Sequence, residues 1–194
     1  MTTRDTPDEP LPVRWANTVR AERGVVHDEI EQSDGLRQWL RSNGFEVARR
    51  PTDRDLSAAR ALRDAVRVLL SHVTGDDRPA TTSPSPDVPA AVEVLEAHGR
   101  PTPPDRLELV DGELRLAHPQ PVAVSVEEAL AQVRAQTVRL LTGAGAAELR
   151  ACHGPRCVLF FVRDHPRREW CSAACGTRAR AARHYRRHRP GGAG

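Results

Sequence analysis

Four cysteines, the only ones in the chain, lie between residues 152 and 175 and constrain its fold more than any other feature. Cys152 and Cys157 form a C-x4-C pair, and Cys171 and Cys175 form a C-x3-C pair. Both spacings are short enough for the two sulfurs of a pair to bind one ion. Four thiolates complete the tetrahedral coordination that Zn²⁺ prefers and leave no open position for a substrate. The pattern therefore predicts one structural Zn²⁺ ion.

The alternative interpretations of these cysteines are two disulfides or four unrelated thiols. The first residues are polar and contain no apolar segment of the kind that a secretory signal requires. Nor does any stretch reach the roughly 18 apolar residues of a membrane helix. We therefore expect a cytoplasmic protein with no membrane partner, and the reducing cytoplasm favours a metal site over disulfides. His153 could replace its neighbour Cys152 as a ligand, but we interpret it as a bystander.

The residues around the cysteine pairs predict a small zinc-binding fold. Gly154 and Pro155 are expected to turn the chain between the first two cysteines. We expect residues 158–162 to form an apolar strand, which makes a hairpin with the segment that returns to the second pair. Cys171 and Cys175 stand at i and i+4, so both thiolates can lie on one face at the start of a helix. A knuckle, a hairpin and a helix in this order predict a treble-clef finger.

An arginine-rich segment follows the last cysteine and is predicted to continue the same helix. With about 100° per residue, its arginines fall within an arc of roughly 200°; they are Arg178, Arg180, Arg183, Arg186, Arg187 and Arg189. We expect the opposite side to pack on the finger or on the rest of the protein; it carries Ala174, Ala181, Tyr185 and His188. A one-sided guanidinium surface suits phosphate contacts, and a helix fits the major groove of DNA. The six arginines are therefore the candidate nucleic-acid-binding residues.

The charge of the chain supports this interpretation of the basic helix. Residues 151–194 have a net charge of +8, whereas residues 1–150 have a net charge of −5. A basic segment on a mildly acidic body favours a polyanionic partner for that segment, and DNA first of all. The alternative is a solvated helix without a partner. His184 and His188, at i and i+4, are not expected to bind a second metal because no third ligand is near in sequence.

The residues before the finger predict a mainly helical domain with a small β-hairpin, which is an α+β fold. Capping boxes at Thr52 and Ser125 begin two helices, and Asp111-Gly112 between two apolar runs predicts the type I′ turn of the hairpin. The expected organisation is a disordered leader at 1–11, a helical domain at 12–146 with a loop at 76–90, the finger with its basic helix at 147–190, and a tail at 191–194.

The cysteine segment resembles the CGNR zinc fingers, whose core reads R-R-W-C-S-x-x-x-C-G-N-R followed by basic residues. The matching residues are Arg168, Trp170, Cys171, Ser172, Cys175, Gly176 and Arg178, although this chain has one residue fewer between its two cysteines than that core. Thr177 stands where the family has its eponymous asparagine, which bears on any contact made through that side chain. The turn before Arg168 is also shorter than usual. The resemblance implies a finger that binds zinc and contacts DNA.

The segment Trp15-Ala-Asn-Thr-Val19 resembles the F-A-N-T-V-like opening of the ABATE domain, which usually precedes this finger. Stress-induced regulation of transcription is ascribed to that family. The two resemblances cover nearly the whole chain and imply a zinc-dependent, DNA-binding regulator of bacterial transcription. Within the motif, Asn17 is a candidate ligand-sensing residue. The alternative for Asn17 is a helix cap or a buried side chain that forms hydrogen bonds.

Two other classes of function compete with this prediction. A protein-interaction adaptor would use the finger as a docking platform for an acidic partner, and exposure of Phe160 or Phe161 would favour it. RNA binding is a close variant, with Tyr185 as the one stacking aromatic residue of the basic helix.

An enzyme is not expected, because the chain contains no phosphate-binding glycine loop and no recognised catalytic motif. His27 and the acidic residues after it are interpreted as a solvated helix start rather than as a metal site. One finger with one helix gives little sequence discrimination, so a homodimer is a candidate assembly. A protein that binds chromosomal DNA would be associated with the nucleoid.

Overall fold

The computed structural model describes residues 9–22, 25–79, 86–99, 106–117 and 123–188. These residues form the helices α1 (Leu11–Ala16), α2 (Ser33–Ser42), α3 (Asp53–Thr74), α4 (Val88–Ala97), α5 (Val126–Thr142) and α6 (Ala173–His188). Three antiparallel strand pairs accompany them: β1 (Val19–Glu22) with β2 (Val25–Asp28), β3 (Arg106–Val110) with β4 (Glu113–Ala117), and β5 (Leu149–Ala151) with β6 (Phe160–Val162). The expected mainly helical α+β class is confirmed.

The two long helices begin at the predicted capping boxes. The Thr52 hydroxyl accepts a hydrogen bond from the backbone N–H of Asp55, whose carboxylate accepts one from the backbone N–H of Thr52. Ser125 and Glu128 form the same reciprocal pair at the start of α5. Gly75 ends α3 in the left-handed conformation, with φ of 62°. These local signals satisfy backbone groups that a helix end would otherwise leave unpaired.

The main hydrophobic core lies among α1, α2, α3, α4 and α5, and the cysteine segment contributes to it. The ring centroids of Trp15 and Trp39 lie 4.6 Å apart in an edge-to-face arrangement. In α3, Leu62, Val66 and Leu69 belong to this core, whereas Val73 near its end is 42% exposed. Side chains of β5 and β6 are buried in the same cluster, namely Leu149, Ala151 and Phe160. The segment that leads into and out of the first cysteine pair is thus packed against the body.

One of the two hairpins in the body was predicted and the other was not. Asp111 and Gly112 both have positive φ, 52° and 80°, as a type I′ turn between β3 and β4 requires. The β1–β2 pair occupies the region interpreted as a helix start. That interpretation was wrong because Asp28 ends β2 and its carboxylate accepts a hydrogen bond from buried Arg63 of α3. This tertiary contact leaves no trace in the local sequence pattern.

Two expected unstructured segments are shorter than predicted. The leader was expected to reach residue 11, but Glu9 is buried and α1 begins at Leu11. The loop was expected to reach residue 90, but Asp87 caps α4, which begins at Val88. Arg78, within the same predicted loop, is fixed by hydrogen bonds to the cysteine segment. Residues 1–8, 80–85 and 189–194 lie outside the described residues.

Within the described ranges, no helix combines the length and the apolar composition needed to cross a membrane.

Candidate metal centre and basic helix

The four cysteines converge on one buried point. Their sulfur atoms all lie within 4.8 Å of one another, and all four side chains are buried. The Sγ atoms of Cys171 and Cys175 are 3.4 Å apart, and those of Cys157 and Cys171 are 3.7 Å apart. A tetrahedral zinc ion with Zn–S bonds of about 2.3 Å would hold its sulfurs about 3.8 Å apart. All four cysteines are free of disulfides, so the donor set fits a tetrahedral metal with thiolate ligands.

The first cysteine pair lies in the connection between β5 and β6. Cys152 directly follows β5, and its backbone N–H donates to the carbonyl of Leu159 at 2.9 Å. The backbone N–H of Cys157 donates to the Gly154 carbonyl, closing the turn. A Cβ atom at Gly154 would lie 3.1 Å from the Cβ of Cys175 and 3.3 Å from its sulfur. A glycine at this position therefore lets the two cysteine pairs approach each other.

The pairing of the finger strand was predicted incorrectly. We expected residues 158–162 to pair with the segment returning to Cys171, but β6 pairs with β5, which precedes Cys152. Residues 164–170 instead form turns and bends. The reason is tertiary: β5 and β6 both bury side chains in the body core, and this burial favours their pairing.

The second cysteine pair is held at the start of α6. Cys171 precedes the helix, and Cys175 lies in its first turn with its N–H directed at the Ser172 hydroxyl. A Cβ atom at Gly176 would lie 3.0 Å from Cδ1 of Trp170. Replacing this glycine would therefore displace the indole ring that packs beside the cysteine cluster. Thus Gly176 permits the close approach of Trp170 to α6.

The thiols depend on one another for ionisation. The pKa of Cys175 lies well below its ordinary value, chiefly because of the hydrogen bond from Cys152. Hydrogen bonds from Cys157 and Cys171 lower the pKa of Cys152 to about 7. The pKa values of Cys157 and Cys171 are raised, first by their hydrogen bonding with Cys152. Four contacting thiols cannot all become thiolates without a nearby cation, and a metal ion provides one.

His153 and Arg178 lie differently with respect to the cluster. His153 is exposed and does not belong to the group of converging ligand atoms. Its expected role as a bystander agrees with this position. Arg178 was predicted to contact nucleic acid, but its Nη2 donates to the sulfur of Cys175 at 2.9 Å. The structure therefore places the Arg178 guanidinium at the cysteine cluster.

The rest of α6 projects from the finger with its arginines exposed. Arg180, Arg183, Arg186 and Arg187 are all exposed, and Arg189 lies outside the described residues. The expected packing face was wrong: Ala174, Ala181 and His188 are exposed, and Tyr185 is 75% exposed. The buried residues of α6 are Cys175, Gly176 and Ala179. Packing is thus confined to the first two turns, because the cysteine cluster covers only that part of the helix.

The arginines of α6 also lack acidic partners. In the described part of the chain, none of its five arginines forms an ion pair, and Arg180 bonds only the Thr177 hydroxyl. The rings of His184 and His188 lie 4.3 Å apart on the same helix. Among the described residues, no carboxylate or third ligand joins this histidine pair in a metal-binding cluster. The accessible part of α6 is therefore a purely basic surface.

Four side chains of the body hold the finger in place. Arg78 donates through Nη1 to the carbonyls of Cys152, Cys157 and Leu159 at 2.9, 3.1 and 3.2 Å. Arg67 donates to the carbonyls of Ala16 and Val158 at 2.6 and 2.9 Å. Glu9 accepts from the Val162 N–H and from Arg168. The fourth side chain, Asn17, pairs with Phe160.

The Asn17 amide forms hydrogen bonds with the backbone of the finger. Its Nδ2 donates to the Phe160 carbonyl at 2.8 Å, and its Oδ1 accepts from the Phe160 N–H at 2.9 Å. Both functional atoms of the amide are therefore engaged with the backbone of β6. These contacts agree with the alternative interpretation, in which Asn17 is a side chain that forms hydrogen bonds. The F-A-N-T-V-like motif thus contributes a contact between the body and the finger.

Sequence reasoning missed Arg67 and Arg78 at this contact. The chain has 29 arginines, so their mere presence identifies none of them. A usable signal existed for Arg67, which stands with Arg63 and Leu70 on the buried face of α3. An arginine on an apolar face must find hydrogen-bond acceptors when the helix is packed. No comparable signal existed for Arg78, which follows the helix in a segment with loop composition.

Phe160 and Phe161 are both buried, each 1% exposed. Phe160 lies between the guanidinium groups of Arg67 and Arg78, whose carbon atoms are 5.3 and 5.1 Å from its ring centroid. Phe161 packs with the cysteine cluster. Neither residue offers the apolar docking surface on which the adaptor interpretation depended.

Comparison with known protein families supports both resemblances. Residues 9–144 match the ABATE family, whose description is "Putative stress-induced transcription regulator". Residues 148–188 match the CGNR zinc finger. No curated protein matches the chain. The ABATE match covers more than half of the chain.

Proposed function

Because this chain belongs to the ABATE family and carries a CGNR zinc finger, we propose that it is a zinc-dependent, DNA-binding regulator of transcription. The four cysteines would bind one structural zinc ion, and α6 would present arginines to duplex DNA. Residues 12–146 would form the domain that senses a signal or dimerises. Such a protein would act in the cytoplasm, at the nucleoid.

Support for a structural metal comes from the small size of the finger's own core. The buried cluster contains the four cysteines and Phe161, and among the described residues only Leu159 and Trp170 are partly buried hydrophobic residues packed beside it. So few apolar side chains contribute little to folding, and a metal held by four thiolates replaces the missing core. Bound zinc would hold the four cysteines together. Because Cys175 lies in the first turn of α6, the zinc ion would also fix the first two turns of this helix.

The observation that carries the DNA-binding proposal is the exposed, acid-free arginine surface of α6. Each exposed guanidinium can neutralise a phosphate without first breaking an ion pair. A free α-helix that projects from its support can also enter the major groove, which is about 12 Å wide. Each of these exposed arginines is a candidate phosphate contact, and Arg180 and Arg183 are in addition the candidates for contacts with guanine edges, because they lie nearest to the fixed end of α6. Arg186 and Arg187 would contact phosphates.

The test is a binding titration on duplex DNA at several salt concentrations, using protein of measured zinc content. Each phosphate contact contributes about −0.9 to the slope of log K against log salt. We expect the triple variant Arg180→Gln, Arg183→Gln, Arg187→Gln to lose about 3 from the magnitude of that slope. A wild-type affinity that does not change with salt would contradict the proposal.

The matched control removes the same charge from the body. Arg41, Arg50 and Arg54 are exposed residues outside α6, and their replacement by Gln should leave the slope nearly unchanged. Equal loss in both triple variants would indicate a general charge effect rather than a site on α6. A chelated sample should lose binding, because α6 then has no fixed base.

Single-stranded RNA of the same length serves as the second probe. Tyr185 is exposed within the basic surface and could stack on an unpaired base. Stronger binding to RNA than to duplex DNA would replace the DNA proposal with an RNA-binding one. Full zinc content without binding to either nucleic acid would favour a protein-interaction adaptor.

A further inference from the structure

We propose that Arg178 and Arg78 are positioning residues of the metal centre, one from the finger's own helix and one from the body. The inference rests on the proposed zinc site but not on DNA binding. Arg178 would orient the thiolate of Cys175, and Arg78 would fix the backbone that carries the first cysteine pair. Metal affinity would then depend on a body residue far from the ligands in sequence.

The charge of the site supplies the first reason. Four thiolates and one divalent cation have a net charge of −2, and this charge would be buried with the cysteines. A buried charge is costly unless opposite charges and hydrogen-bond donors compensate it. Arg178 meets both needs, since its guanidinium is positive and its Nη2 lies 2.9 Å from the sulfur of Cys175.

The position of Arg78 supplies the second reason. Its Nη1 atom donates hydrogen bonds to the carbonyls of Cys152, Cys157 and Leu159. Asp76 holds the other side of the guanidinium, through Oδ1 to Nε at 2.6 Å and Oδ2 to Nη2 at 2.7 Å. The Ser71 hydroxyl, on α3, lies 3.3 Å from the same carboxylate. The chain of contacts therefore runs from a helix of the body to the backbone of the cysteine turn.

Arg78 acts on the centre through the backbone rather than through its charge, because Asp76 pairs with its guanidinium. Its partners on the cysteine turn are the carbonyl oxygens of Cys152 and Cys157, the residues that carry two of the four sulfurs. Residues in the outer shell of a metal site typically change metal affinity by about 10- to 100-fold when replaced. Both arginines are expected to fall within this range.

The test of Arg178 uses the cobalt-substituted protein. A hydrogen bond to a thiolate stabilises its electrons, so its loss should shift the sulfur-to-cobalt charge-transfer band to longer wavelength. We expect this shift in Arg178→Gln, together with about 10- to 100-fold weaker binding of Co²⁺ in competition with a chelator. Arg178→Lys should recover part of the affinity because it keeps the charge. Arg180→Gln is the control, and its band should not move.

The test of Arg78 compares two arginines that both donate hydrogen bonds to backbone carbonyls. Arg78→Met should weaken zinc binding by about 10-fold or more in a chelator competition. Arg60 donates to the carbonyls of Ile30 and Glu31, which belong to the body and are remote in sequence from the cysteines. Arg60→Met therefore controls for lost stability, and its zinc affinity should remain close to that of the wild type.

Three results would overturn the inference: an unchanged cobalt band in Arg178→Gln, an unchanged zinc affinity in Arg78→Met, or equal losses in Arg78→Met and Arg60→Met. These failures are distinct from a failure of the proposed function. A wild-type protein that binds no zinc removes the site itself. A wild-type protein that binds zinc but not DNA leaves the roles of Arg178 and Arg78 open to the same measurements.

Discussion

The arginines of the body and those of α6 differ in their surroundings. In the body, Arg63 is nearly inaccessible and binds Asp28 and Asp64, and even the exposed Arg49 is paired with Asp55. On α6, Arg183 and Arg187 are exposed and have no acidic partner in the described part of the chain. The difference teaches that availability of charge, rather than the number of arginines, identifies the candidate binding surface.

The hydrophobic core of the body is much larger than that of the finger. The body buries large side chains from several elements, including Trp15, Leu36, Leu62 and Leu130. The cysteine cluster contains a single large buried apolar residue, Phe161. The body can therefore be stabilised by burial of apolar area, whereas the base of α6 depends on the metal ligands and on side chains that the body supplies.

The largest effect is expected from Cys171→Ser, which removes a ligand while leaving every arginine in place. Structural zinc contributes on the order of 10 kcal/mol to folding in isolated fingers, so α6 should lose its fixed base. We expect zinc content to fall well below one equivalent and DNA affinity to fall by at least about 100-fold. Metal analysis and the duplex titration measure the two quantities. Wild-type DNA affinity in a zinc-free variant would show that the arginines act without the finger.

The next largest effect should separate a structural arginine from an available one. Arg67→Met leaves the carbonyls of Ala16 and Val158 without their buried donor, and we expect the free energy of unfolding to fall by about 2–4 kcal/mol. Arg183→Met, on exposed α6, should change it by no more than about 0.5 kcal/mol. Chemical denaturation of metal-loaded protein measures both. Similar losses in the two variants would contradict the comparison.

A smaller effect is expected on DNA binding, and here the available arginine of α6 should matter rather than an arginine of the body. Arg183→Gln should weaken duplex binding by about 5- to 10-fold at low salt and reduce the magnitude of the salt slope by about 0.9. Arg54→Gln, an exposed arginine of α3, is the control and should leave both quantities unchanged. If Arg54→Gln had the larger effect, the DNA surface would lie on the body.

The smallest effect concerns the surface pair of the body, Arg49 and Asp55. The hydrogen bond from Arg49 is the main cause that lowers the pKa of Asp55 to about 2, with Thr52 adding to it. A lowered folded-state pKa stabilises the protein above the ordinary aspartate value, and this contribution disappears as the pH falls from about 4 to about 2. Asp55→Asn should therefore cost about 0.5–1 kcal/mol near pH 7.

The same Asp55→Asn variant should cost almost nothing near pH 2, where the wild-type carboxyl is also becoming neutral. Thermal unfolding of both proteins across this pH range checks the sign. A difference that grows towards low pH would show that Asp55 does not stabilise the start of α3 through its charge.

Local patterns in the sequence were reliable wherever the determining contacts are also local. The capping boxes at Thr52 and Ser125 and the Asp111-Gly112 turn all lie where they were predicted. The convergence of the four cysteines followed from their spacing. In each case the interacting groups are within a few residues of one another or share one strong chemical preference.

Predictions failed where distant segments meet. Contacts between residues far apart in the sequence determine the pairing of β5 with β6, the ordered position of Arg78 in the predicted loop and the hydrogen bonds of Asn17. The β1–β2 pair likewise depends on the body around it. The prediction of the packing face of α6 was wrong for a related reason. Its helical periodicity was correct, but the extent of the surface beneath the helix cannot be read from periodicity.

The sequence by itself determined that this chain would be mainly helical, that four cysteines would form one site and that a basic helix would follow them. Tertiary structure alone decided which arginines would be available. Arg178 donates to the sulfur of Cys175, and Arg78 donates to the backbone of the cysteine turn. In the described structure, Arg183 has no acidic partner. The physical reason is that an arginine carries the same charge everywhere, whereas its acceptors are brought to it only by folding.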